Sequence, residues 1–246
     1  MEILIFGGGE RQGECGRLLS ESLATRSGRL LLLPIPTSRD NKFISGTEIP
    51  LSDITPMLCS ATALVGYGIP DTVRDAALKN DVAIYDAALD ENFLLKNAYL
   101  TAMGTLGYML THGGRDLYEM NVGVVGYGRI GVRLVRLLLQ VGARVTLFTT
   151  RRSVAIELGE MGVAARLLPT ADYSGIDLLV NTSPARLVNQ HKIDPWVKII
   201  DLASGGAVEP DGRVVRLPSV PEMYYPITAG RYYAEGALSA LWGIGL

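Results

Sequence analysis

The stretch "VGVVGYGRIGVRLVRLLLQVGARVTLF", Val122 to Phe148, decides how the rest of the chain is read. An apolar run enters a glycine turn at Gly126, Gly128 and Gly131, and an amphipathic segment follows, ending at Gly142 before a second apolar run. Three glycines at that spacing are a weak signal alone and a strong one when they close a strand and open a helix. Gly126 permits the tight turn, Gly128 lets backbone approach a diphosphate, and Gly131 lets helix and strand pack closely. The diphosphate would face free N–H groups at the positive end of the helix, around Arg129 and Ile130.

The second apolar run continues into "FTTRRS". Thr149 and Thr150 stand 18 and 19 residues beyond Gly131, where a site for NAD carries an acidic residue on the ribose hydroxyls. Here Thr149, Thr150 and Ser153 offer hydroxyls, and Arg151 and Arg152 offer guanidinium forks. A carboxylate would repel a 2′-phosphate, whereas this set suits a phosphate dianion. NADP is the expected cofactor, with NAD as the alternative if the arginines are solvated surface residues. Two later strand ends should line the same ligand: Asn181, Thr182, Ser183 and Pro184 in "VNTSPA", and Asp201 and Ala203 in "IIDLAS". Asp201 is equally readable as a turn or capping residue.

Outward from this fingerprint the chain reads as two α/β halves. In the second, strands are expected at Val122–Val125, Arg144–Phe148, Ala164–Leu168, Leu178–Asn181, Lys198–Leu202 and Val214–Leu217. Helices are expected at Ile130–Leu139, Val154–Met161 and Ala229–Trp242. In the first half, "EILIFGG" reads as a strand entering a glycine turn. A helix from Glu10 to Ala24, a buried strand in "GRLLLLPIP", a strand and turn in "ATALVGYGIP", a helix over Asp71–Lys79 and a strand in "VAIYDAA" follow. Between the halves, Asn97 to Tyr118 suits a long helix ended by Gly113-Gly114, one wall of a cleft. The expected organisation is a flavodoxin-like α/β substrate domain over 1–97, a linking helix over 98–118, a Rossmann NAD(P)-binding domain over 119–228, and a C-terminal helix over 229–246 packing back on the first domain.

Composition narrows the function. With 48% apolar and 20% charged residues the chain is a globular one, and a net charge of −2 gives no footing for nucleic acid or a membrane surface. No apolar run is long enough to span a bilayer, and "MEILIFGGGERQ" has no signal-peptide layout. Cys15 and Cys59 make neither a disulfide framework nor a zinc motif, and read as reduced thiols of a cytoplasmic protein. No metal site is expected, and His112 and His191 are the only histidines.

Several segments then line up in one order: "GGGERQ", "NAYLTAMGTLGYML", the fingerprint, "VNTSPA", "IIDLAS" and "YPITAG" before a terminal helix. In that order they resemble the family of the dipicolinate synthase A subunit, related in layout to 2-hydroxyacid, alanine and shikimate dehydrogenases. The resemblance implies NADP-linked oxidation of a cyclic dihydro- or hydroxytetrahydrodipicolinate to dipicolinate during sporulation, with a flavoprotein-like partner, the B subunit. A homo-oligomer is the expected assembly. Where the family pattern reads Asn-x-x-Pro-Thr-Ala-Glu-Gly, this chain keeps Asn97, Thr101, Ala102 and Gly104 but has Leu100 for the proline and Met103 for the glutamate.

A dicarboxylate substrate needs cationic or N–H donors. Arg11, beside the amides of Gly8 and Gly9, and Arg186, after "NTSP", are candidates, each with a surface ion pair as its competing assignment. Asn97, Thr101 and Thr228 are the polar candidates for the substrate. No residue stands out as the general base. Two other readings stay open: another NAD(P)-dependent dehydrogenase of a small carboxylate, and a dinucleotide-binding regulatory subunit without catalysis.

Overall fold

The computed structural model describes residues 1–243. In chain order the first elements are β1 (Glu2–Ile5), α1 (Glu10–Ser22), β2 (Arg29–Leu32), α2 (Ile54–Met57), β3 (Ala63–Gly66), α3 (Asp71–Lys79), β4 (Ala83–Asp86) and α4 (Glu91–His112). There follow β5 (Asn121–Val125), α5 (Arg129–Gln140), β6 (Arg144–Thr149), α6 (Arg152–Glu160), β7 (Ala164–Leu167), β8 (Leu178–Asn181), β9 (Lys198–Asp201), β10 (Val214–Arg216), α7 (Val220–Tyr224) and α8 (Pro226–Gly243). The chain divides into one unit of Met1–Asn97 with the chain from Tyr224 onward, and a second of Ala98–Met223.

In the first unit, four parallel strands lie in the order β1-β2-β3-β4. The period of two separates two cores. Leu30, Leu32, Ala63 and Val65 join Cys15 and Leu19 of α1, Leu23 just past its end, and Tyr233, Ala237 and Leu241 of α8 on one face. Leu31, Leu64, Ile54, Leu58, Val73 and Ala77 fill the other. The C-terminal helix therefore packs on α1 and its sheet face, and residues 244–246 of the expected element lie outside the described residues.

Both halves are the expected parallel α/β sheets, but the strand order of the first departs from the flavodoxin-like expectation. A flavodoxin-type sheet runs 2-1-3-4-5, whereas here each strand is added on the same side of the last. The steps β1→β2 and β2→β3 go the same way, yet α1 lies on one face and the helices of the next connection on the other. The two crossovers thus have opposite hands, against the strong rule of right-handedness. Hydropathy fixes which strands are buried but not which neighbour each one takes.

The second unit holds six parallel strands in the order β10-β9-β8-β5-β6-β7. Counted from β5, this is the 3-2-1-4-5-6 order of a Rossmann sheet, reversing between β5 and β8, where ligands of such sheets bind. Val122 sits between Val145 and Leu178, so β5 is central and buried on both faces. α5 buries Leu134, Val135 and Leu138 and turns Arg136 outward. The opposite layer centres on Phe148, whose ring stacks on Tyr173 with centroids 4.6 Å apart.

One helix departs from its expected bounds. α4 begins at Glu91, six residues before Asn97, because the Asp90 carboxylate accepts from the N–H groups of Asn92 and Phe93 at 2.9 and 3.2 Å. It ends at His112, at the expected Gly113-Gly114 stop: Gly113 N–H closes on the Met109 carbonyl and Gly114 turns to φ +69°, and the stretch on to Tyr118 is a separate short turn at Leu117–Glu119 capped by Asp116.

Candidate functional site

The carboxyl ends of β5 and β6 build one surface from the glycine fingerprint. Gly126 has φ +93°, a left-handed conformation that leads the chain sharply from β5 toward α5. A Cβ at Gly131 would stand 2.2 Å from the Gly126 carbonyl oxygen, so only glycine lets α5 approach β5 this closely. Gly128 caps α5 and would meet nothing within 4 Å, so the space beyond its Cα is open. No side chain caps the N-terminus of α5. Backbone amides at an uncapped helix start, opening on free space, form a cradle that fits a diphosphate.

Beside this turn, β6 ends at the buried Thr149, whose Oγ1 accepts from the Arg151 N–H at 3.1 Å. Arg151 precedes α6, and its Nη2 donates to the Tyr127 carbonyl, which lies between Gly126 and Gly128. The guanidinium is thereby held against the glycine turn. Thr150, Arg152 and Ser153 are exposed, and their side chains have no partner among the described residues. The first turn of α6 carries no acidic side chain. Dipole, guanidinium groups and hydroxyls favour a dianion here, and no carboxylate within Arg144–Ser153 opposes one.

The carboxyl ends of β8 and β9 differ. Asp201 is buried, and its carboxylate accepts from Asn181 Nδ2 at 2.8 Å and from the N–H groups of Ala203, Ala207 and Val208 at 3.1, 2.8 and 3.1 Å. Four donors fill its lone pairs, so it shapes its own loop and has no acceptor left for a ribose hydroxyl. Asn181 is fully buried, giving Nδ2 also to the Ser183 carbonyl and receiving the Ser183 N–H on Oδ1. Direct cofactor contact by the Asn181 and Asp201 side chains is therefore corrected: both are tied up beneath the surface. Thr182 Oγ1 donates to the Val125 carbonyl at 2.9 Å, fastening this loop to the end of β5. Ser183 is half-buried, with its Oγ accepting from the Ala185 N–H; Pro184 is exposed and Ala203 half-buried.

The substrate candidates are scattered. In the first unit, Arg11 lies in the first turn of α1, 6% exposed, with Nη2 donating to the Ile35 carbonyl at 3.1 Å. Gln12 beside it, missed in the sequence, joins the Phe6 and Leu32 carbonyls and so braces the glycine turn after β1. Asn97 and Thr101 stand one turn apart on α4, half-buried and buried. Thr228 is half-buried in the first turn of α8. Leu100 is buried and Met103 half-buried in the same turn of α4 as Thr101. Arg186 takes its competing assignment, an exposed ion pair with Glu209 at 3.3 Å.

General bases are scarce. His191 is exposed in a short turn, and His112 ends α4 with its ring stacked on Tyr108. Burial pushes the Cys15 thiol and the Tyr85 and Tyr233 phenols up, so all three stay protonated at neutral pH. Among the described residues no three His, Cys, Asp or Glu side chains converge as a metal site, and no helix is long and apolar enough to cross a membrane.

Comparison with known proteins places this geometry. Residues 100–212 match the NAD binding domain of the D-isomer specific 2-hydroxyacid dehydrogenases. The dipicolinate synthase A subunit of Bacillus subtilis (strain 168) is 25% identical over 287 aligned positions, covering 96% of this chain and 94% of that protein. The alignment is longer than the chain, so the relative carries insertions. The crystal structure of the dipicolinate synthase A subunit from Bacillus halodurans superposes with a TM-score of 0.79 at 23% identity, covering 98% and 97% of the two chains. That of the Bacillus subtilis protein gives 0.76 at 20% identity, covering 99% and 96%. The resemblance to the dipicolinate synthase A subunit thus extends along nearly the whole chain. Together the matches support a dehydrogenase-type oxidoreductase that works with a nicotinamide dinucleotide.

Proposed function

We propose that this protein is an NADP-dependent oxidoreductase serving as the A subunit of a dipicolinate synthase, converting a cyclic dihydro- or hydroxytetrahydrodipicolinate to dipicolinate. One observation carries the cofactor reading: beside an uncapped glycine cradle, the end of β6 presents Thr149, Thr150, Arg151, Arg152 and Ser153 where an NAD site would present a carboxylate. The substrate reading rests on the resemblance over 96% of the chain.

In this reading the amides around Gly126, Gly128, Arg129, Ile130 and Gly131 hold the diphosphate, and Arg151 and Arg152 hold the 2′-phosphate. Thr182, Ser183, Pro184 and Ala203 border the nicotinamide end, with Asn181 and Asp201 as the frame that positions their loops. A bound nicotinamide would supply the acceptor for a hydride leaving a substrate ring carbon. A dihydropyridine that loses a hydride and a proton becomes aromatic; a hydroxytetrahydro substrate must also lose water. Arg11, with Asn97, Thr101 and Thr228, is assigned to the substrate carboxylates. The domain bounds 1–97, 98–118, 119–228 and 229–246, a B-subunit partner, self-association, sporulation and a cytoplasmic setting belong to the same proposal.

A second reading has one specific observation behind it. Met103 stands where the resemblance implies a glutamate, and neither Asp201 nor a histidine supplies an evident base, which favours a cofactor-binding accessory subunit. Incubating the purified chain with the cyclic dihydrodicarboxylate and NADP separates the two. Dipicolinate and NADPH appearing in equal amounts supports the synthase; tight cofactor binding without turnover, in the presence of any B subunit, supports the accessory role. A Met103→Glu variant that gains turnover would identify the missing proton carrier.

A further inference from the structure

The second unit carries a second cavity, at the opposite end of its sheet from the glycine turn. It has a volume of about 440 Å³ and lies at the amino ends of β5, β8, β9 and β10, bordered by the last turn of α4. Strands of four to five residues, at roughly 3.3 Å per residue, separate it from the carboxyl edge, so a molecule bound here does not touch the nucleotide site.

The lining has two chemical characters. Tyr108, His112 and Trp196 supply flat rings. Tyr108 and His112 are already stacked, with centroids 4.4 Å apart and planes 9° apart, which makes a rigid aromatic wall. Trp196 is 73% exposed, so its ring is open to a ligand. Arg115, Lys198 and Arg213 supply positive charge against one lining carboxylate, Asp177.

Asp177 offsets Arg115 and leaves the rest of the lining positive. Its carboxylate accepts from the Asn121 N–H at 2.8 Å and pairs with Arg115 at 2.7 Å, and these contacts hold it ionised below the usual range. Arg213 is likewise anchored, by Asp211 at 2.9 Å and by the carbonyls of Ile193 and Asp194. Lys198 is exposed at the start of β9, and its ammonium has no partner among the described residues. The cavity thus offers rings to stack on and one uncommitted ammonium, beside two guanidinium groups already paired with Asp177 and Asp211.

We infer that this cavity binds a planar aromatic carboxylate, stacked against Trp196 and the Tyr108–His112 wall with its carboxylate on Lys198. The volume falls at the small end of small-molecule sites and suits a single ring. Ring–ring contact and a charge-assisted hydrogen bond are the two interactions the lining can supply. The product of the proposed reaction belongs to this chemical class, but the inference stands on the cavity and not on that reaction.

The test is calorimetric titration of the full chain, already saturated with NADP, using isophthalate as the probe and cyclohexane-1,3-dicarboxylate as its non-aromatic counterpart. Saturable binding of isophthalate is expected, weakened about tenfold by Lys198→Gln and about as much by Trp196→Ala, and restored by Trp196→Phe. The non-aromatic probe should bind far more weakly. Both variants alter exposed side chains, so their melting temperatures and NADP affinity should match the parent protein. No saturable heat, equal binding of the two probes, or binding that neither variant weakens would overturn the inference. Because NADP binding and turnover are measured separately, failure here is distinct from failure of the proposed function.

Discussion

Two neighbouring parts of one sheet edge look alike in sequence and differ in kind. At the ends of β5 and β6, the amides of the glycine turn face open space and the hydroxyls and guanidinium of Thr150, Arg152 and Ser153 are uncommitted. At the ends of β8 and β9, Asn181 and Asp201 spend their hydrogen-bonding capacity on each other and on four backbone N–H groups. The first part is built to receive charge from outside. The second holds its own loops in place, and contributes to a ligand only what those loops display. A polar residue at a strand end therefore marks a site only when its partners lie outside the protein.

The contrast can be broken experimentally, and the steepest consequence falls on the glycine turn. Gly131→Val places a side chain against the Gly126 carbonyl and should cost about 4 kcal/mol of stability together with cofactor binding, read by chemical denaturation and NADP titration. Wild-type affinity in that variant would mean that close packing of α5 on β5 is dispensable.

Asp201→Ala comes next. It strands three buried N–H groups and the Asn181 amide, and a loss of about 3–4 kcal/mol is expected on unfolding. If Asp201 were instead a ligand to cofactor or substrate, affinity or turnover would collapse while stability held.

The two arginines should separate from each other. Arg152→Gln is expected to weaken NADP about tenfold and leave NAD unchanged, since it removes only a cationic partner of the 2′-phosphate. Arg151→Gln should weaken both cofactors, because its guanidinium also bonds the Tyr127 carbonyl inside the turn. Equal loss of NAD and NADP in both variants would place the arginines outside the phosphate site.

The smallest effect belongs to Arg186. Its pair with Glu209 is exposed on both sides, and Arg186→Gln should change stability by less than about 0.5 kcal/mol. A tenfold rise in KM for the dicarboxylate would instead return Arg186 to the substrate.

The same contrast explains what the sequence could and could not tell. The fingerprint was legible because each glycine answers a local need: a positive φ at Gly126 and a missing Cβ at Gly131. All six strands of the second unit were legible as apolar runs between turns. The fate of Asn181 and Asp201 was not, since residues 20 positions apart give no hint that they bond each other. Asp90 hid the true start of α4 because a cap and a turn use the same residue type. The 1-2-3-4 order of the first sheet follows from pairings between separate segments, which hydropathy does not encode. The cavity at Trp196 and Lys198 was also invisible: a tryptophan in the polar loop "NQHKIDPWVK" was its only sequence signal.

The central claim is that the end of β6 is a 2′-phosphate site, and the ratio of NADP to NAD affinity in the unmodified protein tests it most directly. Two or more charge-assisted contacts to a dianion should make NADP at least about tenfold tighter, with a gap that narrows as salt is raised. Equal affinities, or tighter binding of NAD, would contradict the account and leave Arg151 and Arg152 as surface residues beside an ordinary dinucleotide fold.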